Sequence, residues 1–446
     1  VIGNGFIVDL NRCTGCQACE LACTIENGLP WGTSWRNVST FNERSLPGVA
    51  RYHLSIGCNH CDDAPCARAC PALAYRRDER TGALLLDADH CIGCGYCAWA
   101  CPFDAPVLDD AEGVMTKCTL CNHRLERDRD PACVELCPTG ALLLGDLEGE
   151  PGLVSEVPGF PGAEVGPAMR FVPLREDHEL PEVAGDTAPV SMARVVPPPD
   201  VPLASEWSLA AFTFLTTVLA AWTGAATFLG ARIEPVAFAV GAAVALAASL
   251  AHLGRKERAW RAVFNVRTSW LSREVLLLTA FFGFGTVHAL WPGGPVWAGW
   301  LATILGGATL FAVDRVYETV QRDPRSRSHS AETLMTGLFL AGLFGDNGLI
   351  VFVVGILKLL DYLSRKLRFA RTGKPVRRMA SIVRVGLGLA APMGAWIAVG
   401  ESFPTWVVAS VVLAEVIDRV EFYLDLEFTS TRRRVREVVS RARPLA

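Results

Sequence analysis

Sixteen cysteines, all between Cys13 and Cys137, fall in four groups of four, and the rest of this 446-residue chain has none. The first group (Cys13, Cys16, Cys19, Cys23) and the third (Cys91, Cys94, Cys97, Cys101) have the C-x2-C-x2-C-x3-C spacing that seats a four-iron cubane. The second (Cys58, Cys61, Cys66, Cys70) and the fourth (Cys118, Cys121, Cys133, Cys137) are looser versions, and Pro follows the last cysteine of groups two, three and four. The spacing has a physical cause. Three thiolates on a tight, Gly-bearing loop point inward to three corners of one cluster, while the fourth lies too far along and reaches the neighbouring cluster, so clusters come in twos. No position is replaced by another residue, and sixteen ligands predict four [4Fe-4S] clusters and no three-iron centre. Structural zinc sites use two Cys-x-x-Cys pairs without the trailing Cys-Pro. Disulfides between cysteines so close in sequence would close strained loops.

The elements that must position these groups divide the chain unevenly. A hydrophobic content of 51% and a net charge of −4 are averages over two unlike halves, and nothing in them calls for a nucleic-acid partner. Residues 1–147 are polar and rich in turn signals, and the opening VIGNGFIVDLNRC reads as a first strand, not as a secretory signal. Residues 148–206 are rich in Pro, Gly and acids and are expected to form an extended tether with no core of their own. From 207 to 425 run apolar stretches near 207–230, 233–253, 274–291, 296–316, 332–345, 348–364, 382–400 and 404–424, most of them near the roughly 20 residues that cross a bilayer core. A basic tail, 426–446, is expected in the cytoplasm. The fold class predicted is an α+β double ferredoxin-like iron–sulfur domain followed by an all-α bundle of eight transmembrane helices.

Charge supports the count of eight. Arg255, Lys256, Arg258, Arg261, Arg267 and Arg273 follow the second stretch, Arg315 to Arg327 the fourth, Arg365 to Arg378 the sixth, and Arg432 to Arg436 the eighth, whereas the other loops are nearly bare of cations. With eight helices every basic loop falls on one side, which the positive-inside rule makes cytoplasmic. The expectation drawn from it sets the N-terminal cluster domain on the bare, extracytoplasmic side and the C-terminus in the cytoplasm of a prokaryotic membrane. Eight helices exceed what an anchor requires, so work inside the membrane is expected.

Polar residues narrow that work. His252 and His288 are the two histidines within the apolar stretches and lie at opposite ends, so no haem is expected, and electrons must pass to a lipid-soluble quinone. Glu415 and Arg419 stand four apart on the last stretch, as an interhelical clamp or a proton path; Lys358 and Asp361 read as interfacial.

The four-group cysteine pattern resembles the iron–sulfur subunit of the dimethyl sulfoxide reductase family of molybdenum enzymes. The resemblance implies cluster sets Cys13, Cys16, Cys19, Cys137; Cys118, Cys121, Cys133, Cys23; Cys58, Cys61, Cys66, Cys101; and Cys91, Cys94, Cys97, Cys70. Residues Ser249–Val275 and Glu415–Tyr423 are similar to the anchor subunit of the same enzymes, in which residues matching His252 and Glu274 are implicated in menaquinol oxidation. The likeness implies two subunits in one chain, carrying electrons from menaquinol to a separate molybdopterin catalytic subunit. Reverse flow from a donor such as formate or a sulfur compound, and a docking module without redox activity, are the alternatives. On the expected topology His252 and Glu274 lie across a core of roughly 30 Å from the clusters. A quinone site is therefore expected on the cluster side, among Glu206, Trp207, Arg232, Glu234, His288, Trp291, Asn347 and Glu401, with His252 and Glu274 in proton transfer or in shaping the helix-loop.

Overall fold

The computed structural model describes residues 4–30, 33–41, 51–149, 151–160, 163–175, 203–291, 293–320, 329–372, 376–399 and 402–426. Two compact units divide the chain near residue 193.

The N-terminal unit is built from short strands and single-turn helices strung between cysteine loops. Strand β1 (Asn4–Asp9) is the middle of a three-stranded sheet, antiparallel to β8 (Leu142–Asp146) and parallel to β9 (Met169–Val172). Three two-stranded ribbons complete it: β2 (Arg36–Phe41) with β3 (Tyr52–Gly57), β4 (Tyr75–Arg77) with β5 (Leu84–Leu86), and β6 (Val107–Asp109) with β7 (Val114–Thr116). Such short ribbons cannot supply much core. Phe6, Ile7, Val8, Leu54, Met169 and Phe171 form the apolar part, and buried cysteines make up much of the rest.

Strand β9 corrects the expected tether. Residues 151–160 and 163–175 fold onto the N-terminal unit: Val154 pairs with Phe171, and the Phe160 ring stacks on Phe103. The Pro- and Gly-rich composition concealed four residues, MRFV, whose alternate side chains Met169 and Phe171 are buried. The remainder of the tether, 176–202, and the tail from 427 lie outside the described residues.

Five short helices carry ligand positions: α1 (Ala18–Glu26), α2 (Pro65–Ala69), α3 (Tyr96–Ala100), α4 (Asn122–Leu125) and α5 (Ala132–Glu135). Helix α1 packs on α5, and α2 on α3, which gives the unit two paired halves.

The second unit is helical throughout. Its rods are α6 (Leu203–Phe228), α7 (Pro235–Ala251), α8 (Trp270–Leu290), α9 (Val296–Val320), α10 (Thr333–Phe344), α11 (Gly348–Thr372), the pair α12 (Arg378–Val385) and α13 (Ala391–Val399) joined by a π-helical turn, and α14 (Thr405–Asp425). Four spans, Glu206–Phe228, Trp270–Leu290, Val296–Thr319 and Arg378–Ala398, are long and apolar enough to cross a membrane, and a fifth is if α7 counts with the turn Lys256–Val263, bent from it by 102°. Helix α10 has 12 residues, and α11 and α14 carry several charges.

Those charges face inward. Lys358, Arg384, Glu415, Asp418 and Glu421 are buried, while Leu349, Val353, Leu357, Leu360, Trp406 and Leu413 on the same rods are exposed. A surface that shows leucine and hides arginine is made for lipid. Arg384 joins Glu415 at 2.9 Å and Asp418 at 3.0 Å, and Lys358 joins Glu415 at 3.1 Å. Lys358 is thus a core residue, not an interfacial one, and Glu415 clamps to α11 and α12 instead of pairing with Arg419. Breaking such a buried cluster on one side leaves an uncompensated charge, which costs about 3–5 kcal/mol. Arg384→Met is expected to lower the thermal unfolding midpoint of the detergent-solubilised protein sharply; an unchanged midpoint would remove the clamp from the account.

The rods also fix which loops share an end. Arg419, near the end of α14, donates to Thr213, near the start of α6, at 2.9 Å, and Asp425 pairs with Arg377 at 3.0 Å. The basic loops therefore gather at the end where α6 begins. This corrects the parity behind the expected sidedness: an even number of antiparallel rods returns to its starting face, so α6 begins among the basic loops and not opposite them.

Candidate metal centres and a buried site among the helices

All sixteen thiols are free, and twelve of them are buried. The helices explain how each run serves two places. Cys19 and Cys23 lie one turn apart on α1, about 6 Å along its axis, so the second thiol leaves the loop that holds the first. The same Cys-x3-Cys step recurs at α2, α3 and α5.

Thiols from different groups come near one another. Cys13, Cys16, Cys19 and Cys137 line one recess, open to solvent, together with Val8, Ser55 and Leu142. Cys23 faces Cys121 and Cys133, and Cys118 faces Cys23 and Cys133. Cys66 faces Cys101, Cys58 and Cys61. Cys94 faces Cys70 and Cys91, and Cys97 faces Cys94 and Cys70. Neighbouring sets adjoin in single file, through Cys19 and Cys133, then Cys118 and Cys58, then Cys66 and Cys97.

The loops fit a cubane. Gly15, at φ 71°, turns the backbone between Cys13 and Cys16, where a methyl group would meet the His53 ring at 2.6 Å. Gln17, His60, Leu120 and Cys121 also take left-handed backbone, with φ between 45° and 64°, a cost accepted where a loop wraps a ligand. Backbone amides aim at sulfur: Leu120 at Cys118, Ala74 at Cys70, and both Gly93 and Met115 at Cys91, all at 3.3–3.4 Å. Burial, with neighbouring thiols adding to it, pushes the Cys23, Cys94 and Cys101 thiols up to about 12, so a cation beside them would favour their thiolates. Cys137 differs: burial works against its thiolate, yet the amides of Leu142, Ala141 and Thr139 outweigh it and hold the thiol below its usual value. Among the described residues no three His, Cys, Asp or Glu side chains close on a single metal ion.

The helical unit holds a second constellation. Glu274 on α8 is buried and makes no hydrogen bond or ion pair with any described residue; Arg419 and Asp314 are its nearest charges. Arg419 donates to Thr213 and to the Ala331 carbonyl, each at 2.9 Å, while its remaining nitrogen is buried without a partner. Around it stand the rings of Phe422, Tyr423 and Tyr317, at 4.9, 5.6 and 5.8 Å, and the two tyrosine hydroxyls meet at 2.5 Å. Asp314 accepts from the Thr333 and Leu334 amides at 2.7 and 3.0 Å and so caps α10. An unpaired carboxyl, an unsatisfied guanidinium nitrogen and phenolic hydroxyls can together exchange protons with a flat carbonyl-bearing ring.

His252 ends α7, half-buried with Nδ1 unpartnered, at the same end as Glu274. His288 lies 14 residues further along α8, about 21 Å away, against Gly299 and near Thr227. The residues expected around His288 are divided between the two ends of the helices. Glu206 and Trp207 start α6 at the opposite end, Glu234 accepts from the Ala237 amide at 2.7 Å to cap α7, Asn347 caps α11, and Glu401 lies outside the described residues. Sequence patterning also leaves His329 in a loop, yet it is buried against Phe422.

Residues 49–147 match the family described as a 4Fe-4S dicluster domain, and residues 206–292 match the dimethyl sulfoxide reductase anchor subunit. A sulfite dehydrogenase subunit of Allochromatium vinosum is 37% identical over 199 residues, which cover 38% of this chain and 83% of that one. An anaerobic dimethyl sulfoxide reductase chain of Escherichia coli is 41% identical over 152 residues, covering 32% and 74%. A tetrathionate reductase subunit of Salmonella typhimurium is 41% identical over 146 residues, covering 32% and 58%.

Proposed function

Because this protein belongs to the dimethyl sulfoxide reductase family and joins its iron–sulfur subunit to its membrane anchor, we propose that it passes electrons between a menaquinone-type pool and a separate molybdopterin catalytic subunit. Four [4Fe-4S] clusters, held by the four thiol sets above, would supply one-electron steps along the file. The observation that carries the reading is that thiols of successive sets influence one another, Cys133 on Cys19, Cys58 on Cys118 and Cys66 on Cys97, as a continuous wire would require. Eight membrane crossings fit the inward-facing charges and the basic loops gathered at one end. On that reading the end where α6 begins is cytoplasmic.

The quinol headgroup is assigned to the constellation around Glu274 and Arg419. Glu274 takes a proton, Arg419 donates to a ring oxygen, and the tyrosine hydroxyl pair relays a second proton. His252 lies near enough to the same end to pass protons out.

The test is anaerobic purification of the full chain in detergent, with iron analysis, EPR and a reduced naphthoquinone. Cubane spectra that appear on adding the quinol are expected. Zinc in place of iron, or clusters that dithionite reduces and quinol does not, would refute the reading. The sulfite dehydrogenase subunit among the relatives favours a second reading with electrons flowing toward quinone. A docking module without redox activity is refuted by the same quinol experiment.

A further inference from the structure

Arg36 opens β2 and is 1% exposed, in the midst of the cysteine sets. No carboxylate pairs with it among the described residues. Its Nη1 donates to the Ser55 carbonyl and hydroxyl, each at 3.2 Å, and its guanidinium lies over the Phe6 ring at 4.2 Å. Nη2 is buried without a hydrogen-bond partner. The charges nearest to it are sulfurs: Cys133, Cys118, Cys19 and Cys23. Cys19 belongs to the first set and stands 3.3 Å from the same Ser55 hydroxyl, whereas the other three belong to the second. Across the ribbon the partner of Arg36 is Gly57, where a methyl group would meet the Trp35 carbonyl oxygen at 2.9 Å.

A buried cation with no carboxylate is costly unless something negative repays it. Here the repayment comes from two clusters at once. Resting on the cluster sets assigned above, we propose that Arg36 is a redox-positioning residue: a fixed positive charge between the first two clusters that favours their reduced forms and raises both potentials above what they would be without it. Each cluster gains one negative charge on reduction, and a cation held close in a low-dielectric interior stabilises that added charge. Lys117, buried beside the Cys58–Cys66 loop and bonded to the Cys118 carbonyl at 3.0 Å, gives the third cluster its own cation, so the effect of Arg36 stays local.

The experiment is an EPR-monitored redox titration of the full chain in detergent, wild type against Arg36→Gln and Arg36→Lys. The Gln variant is expected to retain four cubanes and to lower the midpoints of two of them by at least tenfold in the reduction equilibrium, which is about 59 mV for one electron. The other two should not move. The Lys variant should stay near wild type. Unmoved midpoints in the Gln variant, an equal shift of all four, or a Lys variant displaced as far as the Gln one would overturn the proposal. Should the Gln variant fail to take up iron, Arg36→Met, which keeps the stem against Phe6, is read in its place by the same criteria. A wild-type chain without cubanes would instead defeat the cluster assignment itself.

Discussion

Glu274→Gln is expected to slow quinol-driven cluster reduction by about 10²- to 10⁴-fold, the range lost when a positioned proton acceptor is removed. Glutamine keeps the volume of the side chain in a closely packed site and removes only the oxygen that takes the proton. Glu274 has no hydrogen-bond partner among the described residues to lose, so little structural damage should accompany the change. Dithionite, which bypasses the membrane, should reduce the clusters of the variant as fully as those of the wild type. Arg419→Gln should act on the other half of the exchange, raising KM for quinol by withdrawing the free guanidinium nitrogen, with a smaller effect on kcat. His288→Ala, about 21 Å along α8, should leave the rate near wild type. If His288→Ala abolished quinol oxidation while Glu274→Gln retained it, the site would have to move to the opposite end of the bundle.

How much of this was legible in the sequence depends on whether the signal was local. Cysteine spacing is local, because a group of thiols is mostly one loop, so the four groups could be read directly; which groups exchange their fourth cysteine required a family likeness. Apolar runs were legible for the same reason, and the rods fall close to the stretches read. The pairing of charges was not. Arg384 meets Glu415 and Asp418 across more than 30 residues, and Arg419 meets Thr213 across 206. No periodicity within α14 says that Glu415 turns to α11 and α12 while Arg419 turns to α6. Tyr317 and Tyr423 were overlooked because a tyrosine in an apolar run looks like core until its hydroxyl finds another. The error in sidedness was one of parity, and the contact between the start of α6 and the end of α14 corrects it. MRFV in β9 was missed because Pro and Gly around it suggested a tether, whereas an edge strand needs only two buried side chains and a neighbour.

Cys101→Ala should remove the cluster of a loop more than 30 residues away and spare that of its own. Cys101 closes the run Cys91, Cys94, Cys97, but in the fold that run already has Cys70, and Cys101 instead faces Cys58 and Cys66. Iron should fall from about sixteen toward about twelve atoms per chain as one cubane is lost. The EPR component that vanishes should be the one lost in Cys61→Ala, and different from the one lost in Cys94→Ala. The same substitution should stop electron delivery to the catalytic partner altogether, because the missing cluster is an interior link of the file and no parallel route passes around it. Loss of the same component in Cys101→Ala and Cys94→Ala would mean that each run binds its own cluster. The Cys-x3-Cys step along α1, α2, α3 and α5 would then have no role in linking neighbours, and the wire would have to be redrawn.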